Sequence, residues 1–379
     1  MKVLMLGRIN LLEEGGGDKI QVVNTAKELE KLGVEIDIKT SMDFDPNEYD
    51  LIHIFQLDWT PETYLYTKKA SKSNKPIVLS PIHHNVEEVK KFDDEFVFDF
   101  RRLSKLLFKD QFKRDTFKNI YRSIFDPKKL IPTLYTMLKG FKNTQKEVLE
   151  MSEVCLVQTV KEAEDLKRTF DVDIKWKKVM NGVGKPFTNI DMKRLKNKLG
   201  FENYILCVGR IEPRKNQLNI IKAVKKLREE EEKDIKLVFI GPIGGLKHFE
   251  YNSIFNNLVK ENDWIIHVGE GVTYQNIQSY YKYAKVGVSA SWFETTGLTS
   301  LEALYCGTNA VAAGMRAREY LGRYASYCEP DSIDSIKDAI KEEYYAERPK
   351  LDEKMKREYT WGYAAKQTLE AYKEVLSKK

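Results

Sequence analysis

The stretch Ser289-Ala290-Ser291-Trp292-Phe293-Glu294-Thr295-Thr296-Gly297-Leu298-Thr299-Ser300-Leu301-Glu302-Ala303-Leu304 decides how this chain is read. It follows Val286 to Ser289, a short run of the kind buried on both faces of a parallel sheet. It passes through a polar loop and Gly297 and enters a helix near Leu298. The order is therefore strand, loop, glycine, helix. Such a loop aims a helix N-terminus, with its unbonded N–H groups and partial positive charge, at the place where the strand ends. That geometry binds phosphate. Glu294 falls on the loop and Glu302 about one turn into the helix, eight residues on. Carboxylates so placed accept hydrogen bonds from hydroxyl groups. The pattern suits a ligand carrying both phosphate and sugar.

The same alternation extends outward in both directions. Tyr204 to Val208, Lys236 to Ile240 and Ile265 to Val268 read as strands, and Ala310 to Ala313 as the last clear one. Leu218, Ile221, Val224 and Leu227 lie on one face of a helix. In the first half, Val3 to Leu6, Val34 to Ile38, Leu51 to Phe55, Ile77 to Leu79 and Val154 to Val157 read as strands. Val22, Ala26, Leu29 and Leu32 mark a helix that Gly33 stops. Strands alternating with helices predict an α/β fold of two doubly wound parallel-sheet domains. The polar stretch Lys185 to Glu202 is the linker. The expected division is residues 1–188, 189–358, and a closing helix over 359–379.

Composition bounds the functional classes. The chain has 379 residues, 42% apolar and 32% charged, which excludes a disordered tail, a fibre and a small disulfide-stapled module. The four cysteines, Cys155, Cys207, Cys306 and Cys328, form no CxxC pair, so neither zinc nor a disulfide framework is expected, and the compartment is read as cytoplasmic. No apolar run reaches the roughly 18 residues of a membrane span, and the N-terminal run lacks the length and cleavage site of a signal peptide.

The net charge of +6 is unevenly spread. Residues 101–146 hold 13 Lys and Arg against 3 Asp and Glu, a balance of +10 that leaves about −4 elsewhere. Phe117, Ile120, Tyr121 and Ile124, then Ile131, Leu134, Tyr135 and Leu138, recur there at helical spacing. An insertion of two or three basic amphipathic helices, about 95–148, is predicted in the first domain. Its apolar face either packs on that domain or lies on an anionic membrane surface. No nucleic-acid reading motif accompanies the charge.

Three further features carry chemistry. Gly15-Gly16-Gly17 lies between the first strand and its helix, where backbone N–H groups can approach a phosphate. Gly209-Arg210-Ile211-Glu212-Pro213-Arg214-Lys215-Asn216 occupies the equivalent loop in the second half, and Arg210 and Lys215 there suit a diphosphate. His83 and His84 follow a strand end, while His53 falls inside a strand and reads as structural. Asp43-Phe44-Asp45 and Asp171-Val172-Asp173 spell DxD near polar turns, a weak signal in a chain this charged.

Glu294 and Glu302 with their flanks match the E-x7-E motif of retaining GT-B-fold glycosyltransferases, and the chain resembles glycosyltransferase family 4. Gly209-Arg210 with Lys215-Asn216 is similar to that family's phosphate loop, Asn181-Gly182-Val183 to the segment before its linker, and Gly16-Gly17 to its N-terminal glycine loop. The tail around Trp361, Ala364, Leu369 and Tyr372 resembles the helix that crosses back to the first domain. The resemblance covers most of the chain and is weakest over residues 90–150.

It implies two domains facing across a cleft and a nucleotide diphosphate sugar (UDP-, GDP- or ADP-linked) as donor, with no cofactor and no metal. Arg210 and Lys215 would neutralise the diphosphate as leaving group, helped by the backbone N–H groups of Leu298 and Thr299 after Gly297. Glu294 would bind sugar hydroxyls and Glu302 the ribose. Gly16 and Gly17 would approach the donor from the other domain. One imidazole of His83 and His84, with His83 favoured, would contact the sugar. The acceptor would be a glycan, a lipid-linked molecule or a small molecule. Thr296 departs from the pattern, since the family commonly carries an aromatic there, and the insertion has no motif to transfer. An epimerase, a phosphorylase or a non-catalytic protein of the same fold are the competing readings.

Overall fold

The computed structural model of the chain describes residues 1–13, 16–58, 60–96, 98, 102–184, 199–245, 248–269 and 272–378. Gly15 and most of the linker, including the expected boundary at 188/189, lie outside the described residues. Contacts divide the chain into two units. The first comprises Met1–Lys90, Leu103–Gly182 and Arg357–Lys379, the second Lys91–Arg102 and Val183–Lys356.

The first unit is built on a six-stranded parallel sheet of β1 (Lys2–Leu6), β2 (Glu35–Lys39), β3 (Leu51–Phe55), β4 (Ile77–Ser80), β5 (Val154–Val157) and β6 (Trp176–Lys178), in the order β2-β1-β3-β4-β5-β6. The continuous apolar run of β1 is explained by its surroundings. Leu4 and Leu6 enter a core with Ile52, Ile54 and Leu79, while Val3 and Met5 enter a second core on the opposite face with Val22, Leu29 and Val78. The helices around this sheet are α1 (Gly17–Glu30), α2 (Pro61–Lys72), α3 (Val86–Glu95), α4 (Leu103–Leu107), α5 (Gln111–Phe125), α6 (Leu130–Lys139), α7 (Phe141–Glu150) and α8 (Val160–Phe170). Helix α3 straddles the division between the units.

The second unit has its own six-stranded parallel sheet: β7 (Ile205–Val208), β8 (Leu237–Ile240), β9 (Ile265–Val268), β10 (Val286–Ser289), β11 (Asn309–Ala313) and β12 (Ala325–Cys328). Their order is β12-β11-β10-β7-β8-β9. Helices α9 (Gln217–Glu231), α10 (Phe249–Glu261), α11 (Tyr274–Tyr283), α12 (Leu298–Tyr305), α13 (Met315–Leu321), α14 (Ile333–Tyr345) and α15 (Glu353–Glu358) surround it. The chain then returns to the first unit in α16 (Trp361–Leu376), whose Ala364, Ala365, Tyr372 and Val375 complete the core beneath α1. Gly182 makes that return possible. A Cβ there would lie 2.1 Å from the backbone of Thr360 and Trp361, so only glycine fits.

Three expectations are corrected. Ala310 to Ala313 is not the last strand, because β12 pairs beyond it. Strand β6 was also not legible. Both β6 and β12 lie at sheet edges and are only partly covered, so neither carries the apolar run of a buried strand. Leu32 lies past the end of α1 and is exposed. Among its described residues the basic insertion contains four α-helices, α4 to α7, and Ile124, Ile131, Leu134, Tyr135 and Leu138 are exposed rather than packed on the unit.

Candidate active site

The strand order of the second unit reverses between β7 and β10, and in parallel α/β sheets ligands bind outside the carboxyl ends of the strands at that point. Two loops meet there: Gly209–Asn216 after β7 and Ala290–Gly297 after β10. They are tied together directly. The Asn216 side-chain amide donates to Ala290 O at 2.9 Å and to Pro330 O at 2.7 Å, and Trp292 N–H donates to Arg214 O at 3.0 Å. Asn216 adopts the left-handed conformation (φ 62°) that starts α9. The β8 loop packs so close behind that a Cβ on Gly241 would lie 2.2 Å from Gly209 O.

These loops carry a dense set of charges. Lys215 Nζ donates to Glu294 Oε1, and Arg214 Nη1 lies 3.7 Å from Glu294 Oε2. Glu212 is flanked by Arg214 at 3.3 Å, Arg210 at 3.9 Å and His248 at 3.9 Å. Burial would push the Glu294 carboxyl up, but Lys215 and Arg214 outweigh it and hold it at about 2. Glu212 is likewise lowered, its desolvation overcome by Arg214, Lys215 and Arg210. Both carboxylates are therefore ionised at neutral pH. Arg210, Arg214 and Lys215 still exceed them by one charge, which leaves the cluster able to take an anion.

Gly297, at φ 66°, turns the chain into α12. The N–H groups of Leu298 and Thr299 open that helix and have no intrahelical acceptor. Glu302 lines a recess with Gln278, Tyr281, Tyr305 and Cys306. Thr296 is buried. Phe293 is covered by the Arg214 guanidinium at 5.5 Å from its ring and packs on Phe92 at 5.5 Å.

In the first unit the strand order reverses between β1 and β3. His83 and His84 stand on the loop after β4, held from two sides. Asp58, on the loop after β3, accepts from His83 Nδ1 at 2.7 Å through one oxygen and from His84 N at 2.6 Å and Nδ1 at 3.2 Å through the other. Glu162 of α8 accepts from His83 N at 2.8 Å and Gln158 N at 2.7 Å. Ile82 between strand and histidines takes φ 46°, a strained value for a β-branched residue. Burial opposes ionisation of Asp58, yet the two imidazoles outweigh it and keep the carboxyl well below its usual range. This trio lines a cavity with Gln111, Phe112 and Asp115 of α5 and Phe141 and Gln145 of α7, so the insertion forms part of the histidine site.

Gly16 precedes α1 and Gly17 begins it, but Asp18 stands in the first turn, bonded to Arg8 Nε at 2.6 Å. That carboxylate already occupies the positive end of the helix. His53 is enclosed between Tyr372 Oη at 2.7 Å and Ser80 Oγ at 2.9 Å, and burial pushes it down to about 3, which matches its structural reading. Both DxD triplets have local roles. Asp45 caps a turn by accepting from Asn47 N, and Asp171 ends α8 in the left-handed region.

Arg214 and Glu212 lie within the Gly209–Asn216 loop but match no recognisable motif position. Their alternation with Arg210 and Lys215 was the available signal. Asp58 and Glu162 left no signal, because the histidines they hold lie 25 or more positions away.

Residues 191–360 match the family model described as glycosyl transferases group 1. The match falls mainly on the second unit, and the two parallel six-stranded α/β sheets give the chain the GT-B architecture. Over its whole length the chain superposes on sucrose-phosphate synthase from Thermosynechococcus elongatus (TM-score 0.74, 16% identity, 100% of both chains). It also superposes on Anabaena HepE in complex with UDP-glucose (TM-score 0.63, 14% identity, 100% of both chains). Among curated proteins it is 24% identical over 186 residues to O-antigen chain mannosyltransferase B of Escherichia coli, covering 47% of this chain and 48% of that one. It is 32% identical over 133 residues to alpha-monoglucosyldiacylglycerol synthase of Streptococcus pneumoniae, covering 33% and 28%. The chain spans a half or less of the length of these curated relatives.

Proposed function

We propose that the protein transfers a hexose-type sugar from a nucleoside diphosphate sugar to a glycan, lipid-linked or small-molecule acceptor, with retention at the anomeric carbon and without a metal ion. The observation that carries this reading is the cluster of Arg210, Arg214, Lys215 and Glu294 at the β7/β10 reversal, beside the N-terminus of α12. The UDP-glucose bound by HepE supports the donor class, and the mannosyltransferase among the relatives supports sugar transfer.

The donor diphosphate is held by Arg210, Arg214 and Lys215 and by the Leu298 and Thr299 N–H groups. These groups stabilise the charge that develops as the sugar–phosphate bond breaks. Glu294 fixes Lys215 and accepts from sugar hydroxyls, and Glu302 accepts from the ribose. The departing phosphate takes the acceptor proton on the same face, which gives retention. In the first unit, Asp58 orients His83 and His84 toward a substrate hydroxyl, and Gly16 and Gly17 leave room beside α1. Four free thiols, three of them buried, fit a reducing, cytoplasmic compartment.

Thermal unfolding against UDP-, GDP- and ADP-sugars identifies the donor, because specific binding stabilises the fold. Product analysis with that donor and an acceptor then shows an α-linked product from an α-linked donor, at a rate unchanged by chelator. Arg210→Ala and Lys215→Ala each lower turnover by about 10²–10³. Near-native turnover in both would sink the assignment, and a donor returned with inverted ring stereochemistry would favour an epimerase.

A further inference from the structure

Helix α6 of the insertion buries its small and polar residues and exposes its larger apolar ones. In α6, Pro132, Thr133 and Thr136 face inward against α2, α5 and α7. Ile131 (63% exposed), Leu134, Tyr135 and Leu138 (88%) point outward at i, i+3, i+4 and i+7. On α5 the buried positions include Gln111, Arg114, Asp115, Lys118, Asn119 and Ser123, while Ile124 is 70% exposed. On α4, Leu106 is 77% exposed and Leu107 is also open. An apolar stripe of this length in contact with water is unfavourable, so its working environment is something other than water.

Two observations identify that environment. First, the face is set in the +10 segment, and Lys109, Lys113, Lys128, Lys139 and Lys142 are exposed around it. An apolar stripe bordered by lysines complements a hydrocarbon layer under anionic headgroups. Second, a cavity of about 380 Å³ lies within the same insertion, with Phe108, Phe112, Phe117, Ile120, Met137 and Phe141 as its apolar wall and Lys113, Lys142, Asp110, Thr116, Thr136 and Asn143 as its polar lining. The aromatic wall suits a hydrocarbon chain, and Lys113 and Lys142, which outnumber Asp110, suit a phosphate at its polar side. Among the described residues no helix is long and apolar enough to cross a membrane, so contact would be with one leaflet.

We infer that α4 to α6 form a docking face for an anionic lipid bilayer. Ile131, Leu134, Tyr135 and Leu138 enter the headgroup–acyl boundary, the lysines meet the headgroups, and the cavity receives one lipid chain. This goes beyond the transferase reading and does not depend on it.

The test is co-sedimentation of the full chain with vesicles of phosphatidylcholine alone and of phosphatidylcholine with phosphatidylglycerol, across a salt series. Binding is expected with the anionic vesicles and weakens as salt rises. The double variant Ile131→Glu/Leu138→Glu lowers binding by more than about tenfold. The pair Lys109→Glu/Lys128→Glu lowers it by at least about fivefold, the effect of a single lysine near an anionic surface. Circular dichroism and the nucleotide-sugar thermal shift stay as in the wild type, which separates failure of docking from failure of the fold or of the donor site. Equal binding to both vesicle types, or unchanged binding of Ile131→Glu/Leu138→Glu, would overturn the proposal. So would a concentration-dependent dimer abolished by that variant, with no vesicle binding, since the occupant would then be a second copy.

Discussion

At the residue scale, Glu294 shows how a carboxylate can be buried and still ionised. Its value of about 2 lies below the ordinary 4.5, so its contribution to stability is fully present above pH 4.5. That contribution is lost as pH falls from about 4.5 to about 2, and amounts to roughly 3 kcal/mol by proton linkage. Urea unfolding of the wild type should therefore lose stability through this window. Glu294→Gln should have a flatter acid limb there and be less stable at neutral pH by about 3 kcal/mol, because Lys215 is left buried without its counter-charge. An acid limb unchanged by the substitution would contradict the pairing. Gly182 is decided by space alone. Gly182→Ala forces the Thr360–Trp361 backbone aside and should cost about 3 kcal/mol in the same assay.

At the element scale, what matters is which element holds which loop. The β4–α3 loop carries His83 and His84, but it is α8 that secures it, through Glu162 at the start of that helix. Glu162→Ala leaves the His83 and Gln158 amides buried without an acceptor, at about 1–3 kcal/mol each. Hydrogen exchange should report faster exchange at those two amides first. Helix α6 teaches a different lesson. Its period of 3.6 was plain in the sequence, but periodicity defines an apolar face without saying what covers it. Threonines and a proline are small enough to let α6 approach α2 and α7 closely, and the larger apolar residues are left outside.

At the scale of the whole molecule, the two sheets follow related rules with different orders. The second reverses between β7 and β10, where the charged loops meet, and the first between β1 and β3, where Asp58 of the histidine site follows β3 while His83 and His84 follow β4. Helix α16 is the last element of the chain and part of the first unit's core. Deleting residues 361–379 would uncover Val3, Met5, Val22 and Leu29 and remove Trp361, Tyr372 and Val375, a loss on the order of 5–10 kcal/mol. Calorimetry should show the first unit's transition lost and the second unit's retained, with retained donor-induced stabilisation. Retention of both transitions would show that α16 is dispensable.

Much of this was written locally. Runs such as Val3–Leu6 and Val286–Ser289 determine buried parallel strands because a sheet covered on both faces tolerates only apolar residues there. Ser289 to Leu304 determines a strand, an αL glycine and a helix N-terminus because those are short-range backbone preferences. Arg210, Lys215, Glu294 and Gly297 fall on strand-to-helix loops for the same local reasons. The edge strands β6 and β12, the reversal points, the Asp58 and Glu162 clamps, the pairing of Lys215 with Glu294 and the outward face of α6 came only with the tertiary structure. Each depends on a neighbour distant in sequence, and strand order, ion pairing and the covering of a helix face are set by contacts that no local pattern encodes.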